Sequence, residues 1–228
     1  MNLEPRLRSA LGGLIKRKET WILTARGWFS VLGVVCLLAL TFVWRISPFL
    51  AATHRLDTEY LVVEGWIPDY ALVESIGEFK SKPYRLLFTV GCEMTSLVNI
   101  DPGDNYADYA MSRLKWLGMK PELMQPVVAH VKQRNRTYES ALALKEWIEE
   151  KHLPITGFNV VTIGPHARRS RLLFEKAFQG QAHIGIIAIE DHEYDPKHWW
   201  KYSEGVKEIL SEGASYLYVR LFFWPSKP

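Results

Sequence analysis

The sequence has little cysteine and none of the short motifs typical of nucleotide-binding or zinc-binding proteins. Cys36 lies in an apolar segment and Cys92 in the globular part, which makes a disulfide between these two residues implausible. No zinc-type spacing, glycine-rich dinucleotide fingerprint, P-loop or nucleophile elbow is present. The contiguous Asp191-His192-Glu193 point in different directions, so no metal site is predicted. A disulfide scaffold and the commonest nucleotide-binding loops are therefore disfavoured.

Charge is unevenly distributed along the chain. Residues 1–26 contain six basic and two acidic residues, which gives this segment a net charge of +4. The rest of the chain contains 22 basic and 23 acidic residues, a net charge of −1. Because the folded part has no basic surplus, nucleic acid is not expected as a partner.

One segment is apolar enough to cross a membrane. The 18 residues from Gly27 to Trp44 carry no charge, and at about 1.5 Å per residue they nearly match a hydrocarbon core of roughly 30 Å. Trp28 and Trp44 bracket them, as interfacial aromatic residues do. We predict an uncleaved transmembrane helix over 27–50. A cleaved signal peptide and a buried soluble helix are the alternatives, although the residues after Leu50 form a poor cleavage site.

The basic surplus before this segment predicts the topology. By the positive-inside rule, residues 1–26 stay in the cytoplasm and the C-terminal domain is exported, into the periplasm of a Gram-negative bacterium. The tail itself is either a short amphipathic surface helix or a frayed basic extension. We therefore predict a basic cytoplasmic tail (1–26), a transmembrane anchor (27–50), a linker (51–58) and an α/β domain (59–228).

From Leu56 onward, strand-like and helix-like patterns alternate. Continuous apolar strands separated by helices are typical of a parallel sheet covered on both faces. Right-handed crossovers bring the carboxyl ends of these strands to one edge. We predict a three-layer α/β/α Rossmann-like sandwich with a mostly parallel five-stranded sheet, with strands over Tyr60–Val63, Arg85–Val90, Gln125–Ala129, Asn159–Ile163 and Ile184–Ile189.

Two of the helices carry further expectations. Thr137 is a candidate N-terminal cap of the helix after the third strand. The last helix is predicted from Pro196 to Phe223, with a break near Gly205 or Gly213.

The stretch Phe158–Phe174 is the strongest indication of a site. An apolar strand stops at a Gly-Pro turn, and His166 and three arginines follow in the first turns of a helix. Helix N-termini attract anions and disfavour cations, so arginines crowded there suggest a negative ligand or partner. Arg169 lies three positions after His166 and shares its helix face, whereas Arg168 is either a ligand contact or solvated.

Other ionisable residues are expected at the same edge of the sheet. Glu64 ends the first strand, where a carboxylate either pairs with an arginine across the crevice or holds a polar ligand group. Arg136 precedes the helix that carries Glu139 in its first turn. We expect His166, Arg169, Glu139 and Glu64 to converge on one crevice, with His166 and Arg169 as exposed side chains.

Two segments open neighbouring helices of this pattern. They read Thr137-Tyr138-Glu139-Ser140-Ala141 and, about 25 residues later and after a strand, His166-Ala167-Arg168-Arg169-Ser170. Together they resemble the YdcF-like domain, the SanA/ElyC type of bacterial envelope protein, in which a Thr-x-Glu-Asn and a Tyr-His-x-x-Arg-Ala segment open the two helices. The resemblance covers about residues 58–215, and the preceding anchor fits it. It implies a Rossmann-like sandwich whose pocket residues are Thr137, Glu139, His166 and Arg169.

The sequence departs from the family pattern at both glycine turns. The first strand ends in Val63-Glu64-Gly65-Trp66 where the family usually has Leu-Gly-Gly. The second ends in Val90-Gly91-Cys92 where the family has Ser-Gly-Gly. Ser140 replaces the Asn, and Pro165 replaces the Tyr before the histidine. These changes are compatible with a changed ligand or a lost activity.

The resemblance implies a role in cell-envelope biogenesis. We expect a membrane-tethered, exported domain that binds or processes an anionic intermediate, phosphorylated or lipid-linked. The alternatives are a non-catalytic envelope factor that acts through protein partners and a cytoplasm-facing domain with a nucleotide cofactor. The cofactor, if any, is left unknown. Some family members are suspected of binding S-adenosylmethionine, but an exported domain would not meet this cofactor. The expected site consists of catalytic His166 and Glu139 with ligand-binding Arg169, Arg168, Thr137, Glu64 and Arg136.

Overall fold

The structure of the protein is a computed structural model that describes residues 21–94, 105–131 and 134–225, and the backbone alone at 9–10 and 15–16. The chain divides into two compact units. The first is Met1–Phe42 and the second is Val43–Pro228.

The first unit contains a short β-ladder and most of a long helix. Strand β1 (Ser9–Ala10) pairs antiparallel with β2 (Ile15–Lys16), so an amphipathic helix through these four residues is wrong. The rest of that prediction, over residues 1–20, lies outside the described residues. Helix α1 (Ala25–Leu50) is the one helix, among the residues described, that is long and apolar enough to cross a membrane.

The exposure of α1 disfavours one of the two alternatives to a membrane span, the buried helix of a soluble protein. Its most apolar 18-residue window is not buried against any described residue, whereas a soluble core helix would be largely buried. Leu38, near the middle of the helix, is 64% exposed. A signal sequence meets the same criteria of length and composition.

The second unit is built on a parallel sheet. Its five strands lie in the order β5-β4-β3-β6-β7, and every neighbouring pair is parallel. The order of the chain reverses between β3 and β6, which makes the gap beyond their carboxyl ends the switch point of the sheet. The strands are β3 (Tyr60–Glu64), β4 (Leu86–Cys92), β5 (Met124–Ala129), β6 (Gly157–Ile163) and β7 (His183–Ile189).

Helices cover both faces of this sheet, which confirms the predicted three-layer α/β/α sandwich. Apolar side chains of α2 and α3 pack on one face, and those of α4, α5 and the end of α6 pack on the other. Because both faces are covered, Val62 and Val63 are buried although they point to opposite sides. The helices are α2 (Asp69–Ser81), α3 (Tyr106–Trp116), α4 (Arg136–Glu150), α5 (His166–Phe178) and α6 (Ser203–Leu221).

The last helix differs from its prediction at both ends and in the middle. It begins at Ser203 and not at the predicted Pro196. The Asp195 carboxylate accepts a hydrogen bond from the Lys197 amide, and this bond holds the chain around Pro196 in a turn. Neither predicted break occurs. A Cβ at Gly205 would lie 2.6 Å from the Trp199 carbonyl oxygen, so this glycine permits close packing and does not end the helix.

The predicted linker is fixed to the domain by hydrogen bonds. The His54 amide donates to the Ile186 carbonyl at 2.7 Å and the Ile186 amide returns a bond at 2.8 Å, which extends the sheet beyond β7. The Asn159 side chain bonds both backbone groups of Leu56 at 2.8 and 2.9 Å. The end of α1 continues this attachment through Leu50, which is fully buried against residues of α6.

Candidate functional site

A cleft of about 480 Å³ opens at the carboxyl edge of the sheet, beside the switch point. The ends of β3 and β4 form its floor, the first turns of α4 and α5 form two walls, and α6 forms another. In open α/β sheets this position is where ligands bind. The cleft is therefore the candidate functional site.

A left-handed turn places His166 at the cleft. β6 ends at Ile163, and Gly164 adopts φ +43°, a conformation that residues with a side chain rarely take. Pro165 then leads directly into α5, whose first residue is His166. The Gly-Pro pair thus turns the chain sharply, and the first helical residue lines the cleft.

Glu64 forms the buried floor of the cleft. The Ser170 hydroxyl contacts the two Glu64 carboxylate oxygens at 3.0 and 3.1 Å. Glu64 Oε2 lies 3.6 Å from Nε2 of His166, and that nitrogen is buried without a hydrogen-bond partner among the described residues. Burying ionisable groups is costly, so an arrangement that leaves one nitrogen unpaired indicates a functional site.

Glu212 of α6 binds the other side of the imidazole. It accepts hydrogen bonds from Arg169 Nε at 2.7 Å and Nη2 at 2.9 Å, and its Oε1 lies 3.1 Å from His166 Nδ1. Burial alone would raise the pKa of Glu212, but the His166 and Arg169 hydrogen bonds outweigh it and lower this pKa to about 2. Glu212 therefore stays ionised, and it neutralises Arg169 within the protein.

The contacts of His166 Nδ1 allow two proton arrangements. Nδ1 lies 2.9 Å from the donor Nη2 of Arg169 and 3.1 Å from the acceptor Oε1 of Glu212. With its proton on Nδ1 the ring donates to Glu212 and leaves Nε2 as a base. With the proton on Nε2 the ring accepts from Arg169 and Nε2 becomes a donor. The surroundings therefore support either role in proton transfer.

A second carboxylate of α6 faces the cleft one turn earlier. Burial and the neighbouring charge of Glu212 raise the pKa of Glu208. Glu208 makes no ion pair with a described residue and is half-buried. The raised pKa favours the protonated form of this carboxyl relative to a free glutamate.

The rim opposite α6 is formed by the start of α4. Arg136 is its first residue and is exposed, Thr137 follows, and both line the cleft. Asn135 precedes them with φ 52°, so the helix begins one residue earlier than predicted and Thr137 does not cap it.

Cys92 lies beside Arg136. Burial raises the pKa of this thiol, although the arginine opposes the shift. A raised pKa disfavours the reactive thiolate.

The glycines at the ends of β3 and β4 have a packing reason. A Cβ at Gly65 would lie 2.2 Å from the Tyr106 carbonyl oxygen, and one at Gly91 would lie 2.6 Å from Tyr106 Cβ. These two glycines therefore let α3 approach the strand ends. Trp66 packs edge-on against His166 with ring centroids 4.8 Å apart. Glu64 and Trp66 thus supply a carboxylate and an aromatic ring that a Gly-Gly turn would lack.

The structure brings five of the seven predicted site residues to the cleft: Glu64, Arg136, Thr137, His166 and Arg169. Two others do not line it. Glu139 lies partly buried in the first turn of α4, and Arg168 donates to the Phe49 carbonyl and lies 3.9 Å over the Phe49 ring. The expectation of exposed side chains is wrong for His166, which is 7% exposed.

Glu212 and Glu208 were missed because their helix is far away in sequence. A signal was nevertheless present. The buried positions of α6 include Gly205, Ile209 and Val219, and Glu212 has the same helical spacing. A carboxylate on the apolar face of a helix requires a charged partner.

Comparisons with protein-family models, with curated proteins and with solved structures each found no match to this chain. Among the residues described, no three His, Cys, Asp or Glu side chains are grouped as a metal ion would need. The geometry of the cleft therefore carries the functional argument.

Proposed function

We propose that this protein is a membrane-anchored, exported, YdcF-like envelope protein whose cleft binds and processes a phosphorylated or lipid-linked intermediate. The observation that carries the proposal is the buried His166, held between two carboxylates beside an open cleft. Structural packing alone gives no reason to bury this many ionisable groups, since an apolar cluster of similar volume is usually at least as stable.

The start of α4 is the anion-binding part of this proposal. Five charged residues of the described chain line the cleft, of which Arg169 and Glu212 neutralise each other. Burial and the neighbouring charge of Glu212 raise the pKa of Glu208. Arg136 makes no ion pair with a described carboxylate, and it stands where backbone N–H groups of α4 are free. It therefore replaces Arg169 as the residue proposed to bind phosphate, and Arg169 positions the imidazole.

His166 is the proton-transfer residue in this proposal. His166 lines the same cleft as the start of α4, and Glu64 and Glu212 bracket its ring. General acid–base catalysis by such a histidine typically contributes a factor of about 10²–10⁴. The resemblance of residues 137–141 and 166–170 to the YdcF-like family supports the same cleft as the site, since both segments open helices that line it.

We predict that pyrophosphate stabilises the full chain in a maltoside detergent, and that Arg136→Ala abolishes this effect. A ligand at 100 times its Kd contributes about 2.7 kcal/mol, a rise in Tm of roughly 5–11 °C. Arg136 is exposed, so its removal should leave the ligand-free Tm nearly unchanged. Thermal unfolding followed by tryptophan fluorescence measures both quantities. Arg134→Ala is the matched control, because Arg134 is exposed just before α4 and does not line the cleft.

Farnesyl phosphate and farnesol separate the lipid-linked ligand from a simple phosphate. Stabilisation by farnesyl phosphate but not farnesol favours a lipid-linked intermediate. If neither pyrophosphate nor farnesyl phosphate shifts the Tm of the wild type, the ligand-binding function is wrong and the non-catalytic envelope factor is favoured.

We also propose that the second unit is exported, because the basic tail precedes α1. Alkaline phosphatase fused after Pro228 is expected to be active, and the same enzyme fused after Lys18 is expected to be inactive. A green fluorescent protein fused after Pro228 that fluoresces would reverse the orientation. The mass of the purified protein distinguishes an anchor from a signal peptide, since cleavage would remove α1.

A further inference from the structure

An aromatic and basic turn lies next to the end of α1. Residues 197–202 read Lys-His-Trp-Trp-Lys-Tyr and directly precede α6. The cleft uses none of them. Trp199, Trp200 and Lys201 form a single 3₁₀ turn. This composition is typical of protein surfaces at the level of lipid headgroups, where aromatic rings and basic side chains are both favourable.

Trp199 fastens this turn to α1. Its indole N–H donates to the Val43 carbonyl at 3.0 Å, and its ring is 5% exposed. It packs in a cluster with Leu50 and Ile209, to which Val43 and Ile46 also belong. The turn is therefore held at Val43, the penultimate residue of the uncharged stretch Gly27–Trp44.

The neighbouring aromatic residues are exposed. Trp44 is 71% exposed, Tyr202 42% and Trp200 37%. Arg45 and Lys201 are exposed as well. The Trp200 ring packs edge-on against His198 and Trp199, and part of each of the three rings remains exposed.

The direction of α6 separates this group from the other exposed aromatic residues. Val43 of α1 contacts Trp199, which lies just before α6, and Phe49, six residues further along α1, contacts Tyr216 within α6. The end of α1 and α6 therefore run in the same direction. Phe222 and Trp224, at the far end of α6, therefore lie away from Val43. The exposed group at Val43 is thus the one next to the apolar stretch.

We propose that Trp44, Trp200 and Tyr202, with Arg45 and Lys201, form a collar that sits in the headgroup layer of the bilayer. The proposal rests on α1 being a retained membrane span, as stated above. The uncharged stretch is about 27 Å long, so Val43 and Trp44 fall near the end of a hydrocarbon core of roughly 30 Å. The collar seats the domain on the membrane, and the lysine and arginine side chains reach lipid phosphates.

Spin labels on the full chain in vesicles of 70% phosphatidylcholine and 30% phosphatidylglycerol test the collar. A nitroxide is placed by Lys201→Cys and, as the control, by Arg220→Cys near the other end of α6. Both carry Cys36→Ser, and both positions are exposed. The buried Cys92 is checked by labelling the Cys36→Ser chain alone. Power-saturation electron paramagnetic resonance compares collisions with oxygen, which is enriched in lipid, and with a water-soluble nickel chelate.

The expected result is that the label at residue 201 collides several-fold less often with nickel than the label at 220, which behaves as in water. Adding Trp200→Ser and Tyr202→Ser should raise nickel access at 201. Equal nickel access at both positions overturns the collar.

A spin label on the native Cys36 distinguishes a failure of the collar from a failure of the membrane anchor. If oxygen reaches Cys36 as in a hydrocarbon core while residue 201 is aqueous, the anchor stands and the collar is wrong. If Cys36 itself is aqueous, the anchor is wrong and the collar falls with it.

Discussion

Replacing Glu212 by glutamine is expected to lower the Tm of the protein by roughly 6–12 °C. The substitution removes one partner of a buried ion pair and leaves Arg169 with 20% of its side chain exposed and no carboxylate. Breaking such a pair costs about 3–5 kcal/mol. Glutamine still accepts one hydrogen bond, so we expect about 3 kcal/mol, at roughly 2–4 °C per kcal/mol for a domain of this size.

The pH dependence of this loss follows from the pKa of Glu212. The carboxyl has a pKa of about 2 in the folded protein against an ordinary value of 4.5. A lowered pKa gives stability that is fully present above 4.5 and is lost as the pH falls toward 2. The difference in Tm between wild type and Glu212→Gln should therefore be constant near neutral pH and shrink below pH 4.5. Thermal unfolding between pH 3 and pH 8 measures this.

Glu208→Gln is the matched control for this experiment. It lies one helical turn from Glu212 and makes no ion pair with a described residue, and burial raises its pKa. Removing its charge should change stability by no more than about 0.5 kcal/mol, or raise it slightly. Equal losses of Tm in the two variants would contradict the assignment of the buried pair.

Leu38→Arg is expected to remove the protein from the membrane fraction. Leu38 lies near the middle of the uncharged stretch, and its side chain is exposed on α1. A central arginine costs about 2.5–3.5 kcal/mol on insertion scales, which lowers the equilibrium constant of insertion by roughly a hundredfold. Immunoblots of membranes washed with carbonate measure the retained protein.

Leu217→Arg controls for the added charge. Leu217 is 55% exposed on α6 and lies outside the apolar stretch, so this variant should stay in the membrane pellet. Wild-type protein released by carbonate would show that α1 does not anchor the chain.

The sheet could be predicted from the sequence because its strands are local patterns. Each buried strand is a continuous apolar run that ends at a turn, and the five predicted strands differ from the observed ones by no more than two residues at either end. The start of α5 was also predictable, since Gly164 and Pro165 mark a sharp turn before His166. These features depend on neighbouring residues alone.

The partners of the site could not be predicted in the same way. Sequence spacing indicates that His166 and Arg169 share a helix face, but it says nothing about which distant carboxylate meets them. Glu212 does so because α6 returns across the carboxyl edge of the sheet. Arg168, one position away, points to Phe49 instead. Only tertiary packing distinguishes these two arginines.

The position of Glu212 has a consequence for how the protein matures. Its helix is synthesised after all five strands, so a growing chain carries His166 and Arg169 before their carboxylate partner exists. The sheet and the first five helices can associate at that stage, but the imidazole is not held until α6 docks. Biosynthesis therefore completes the site last, and a nascent chain that has not reached Glu212 lacks the carboxylate that holds His166 and Arg169.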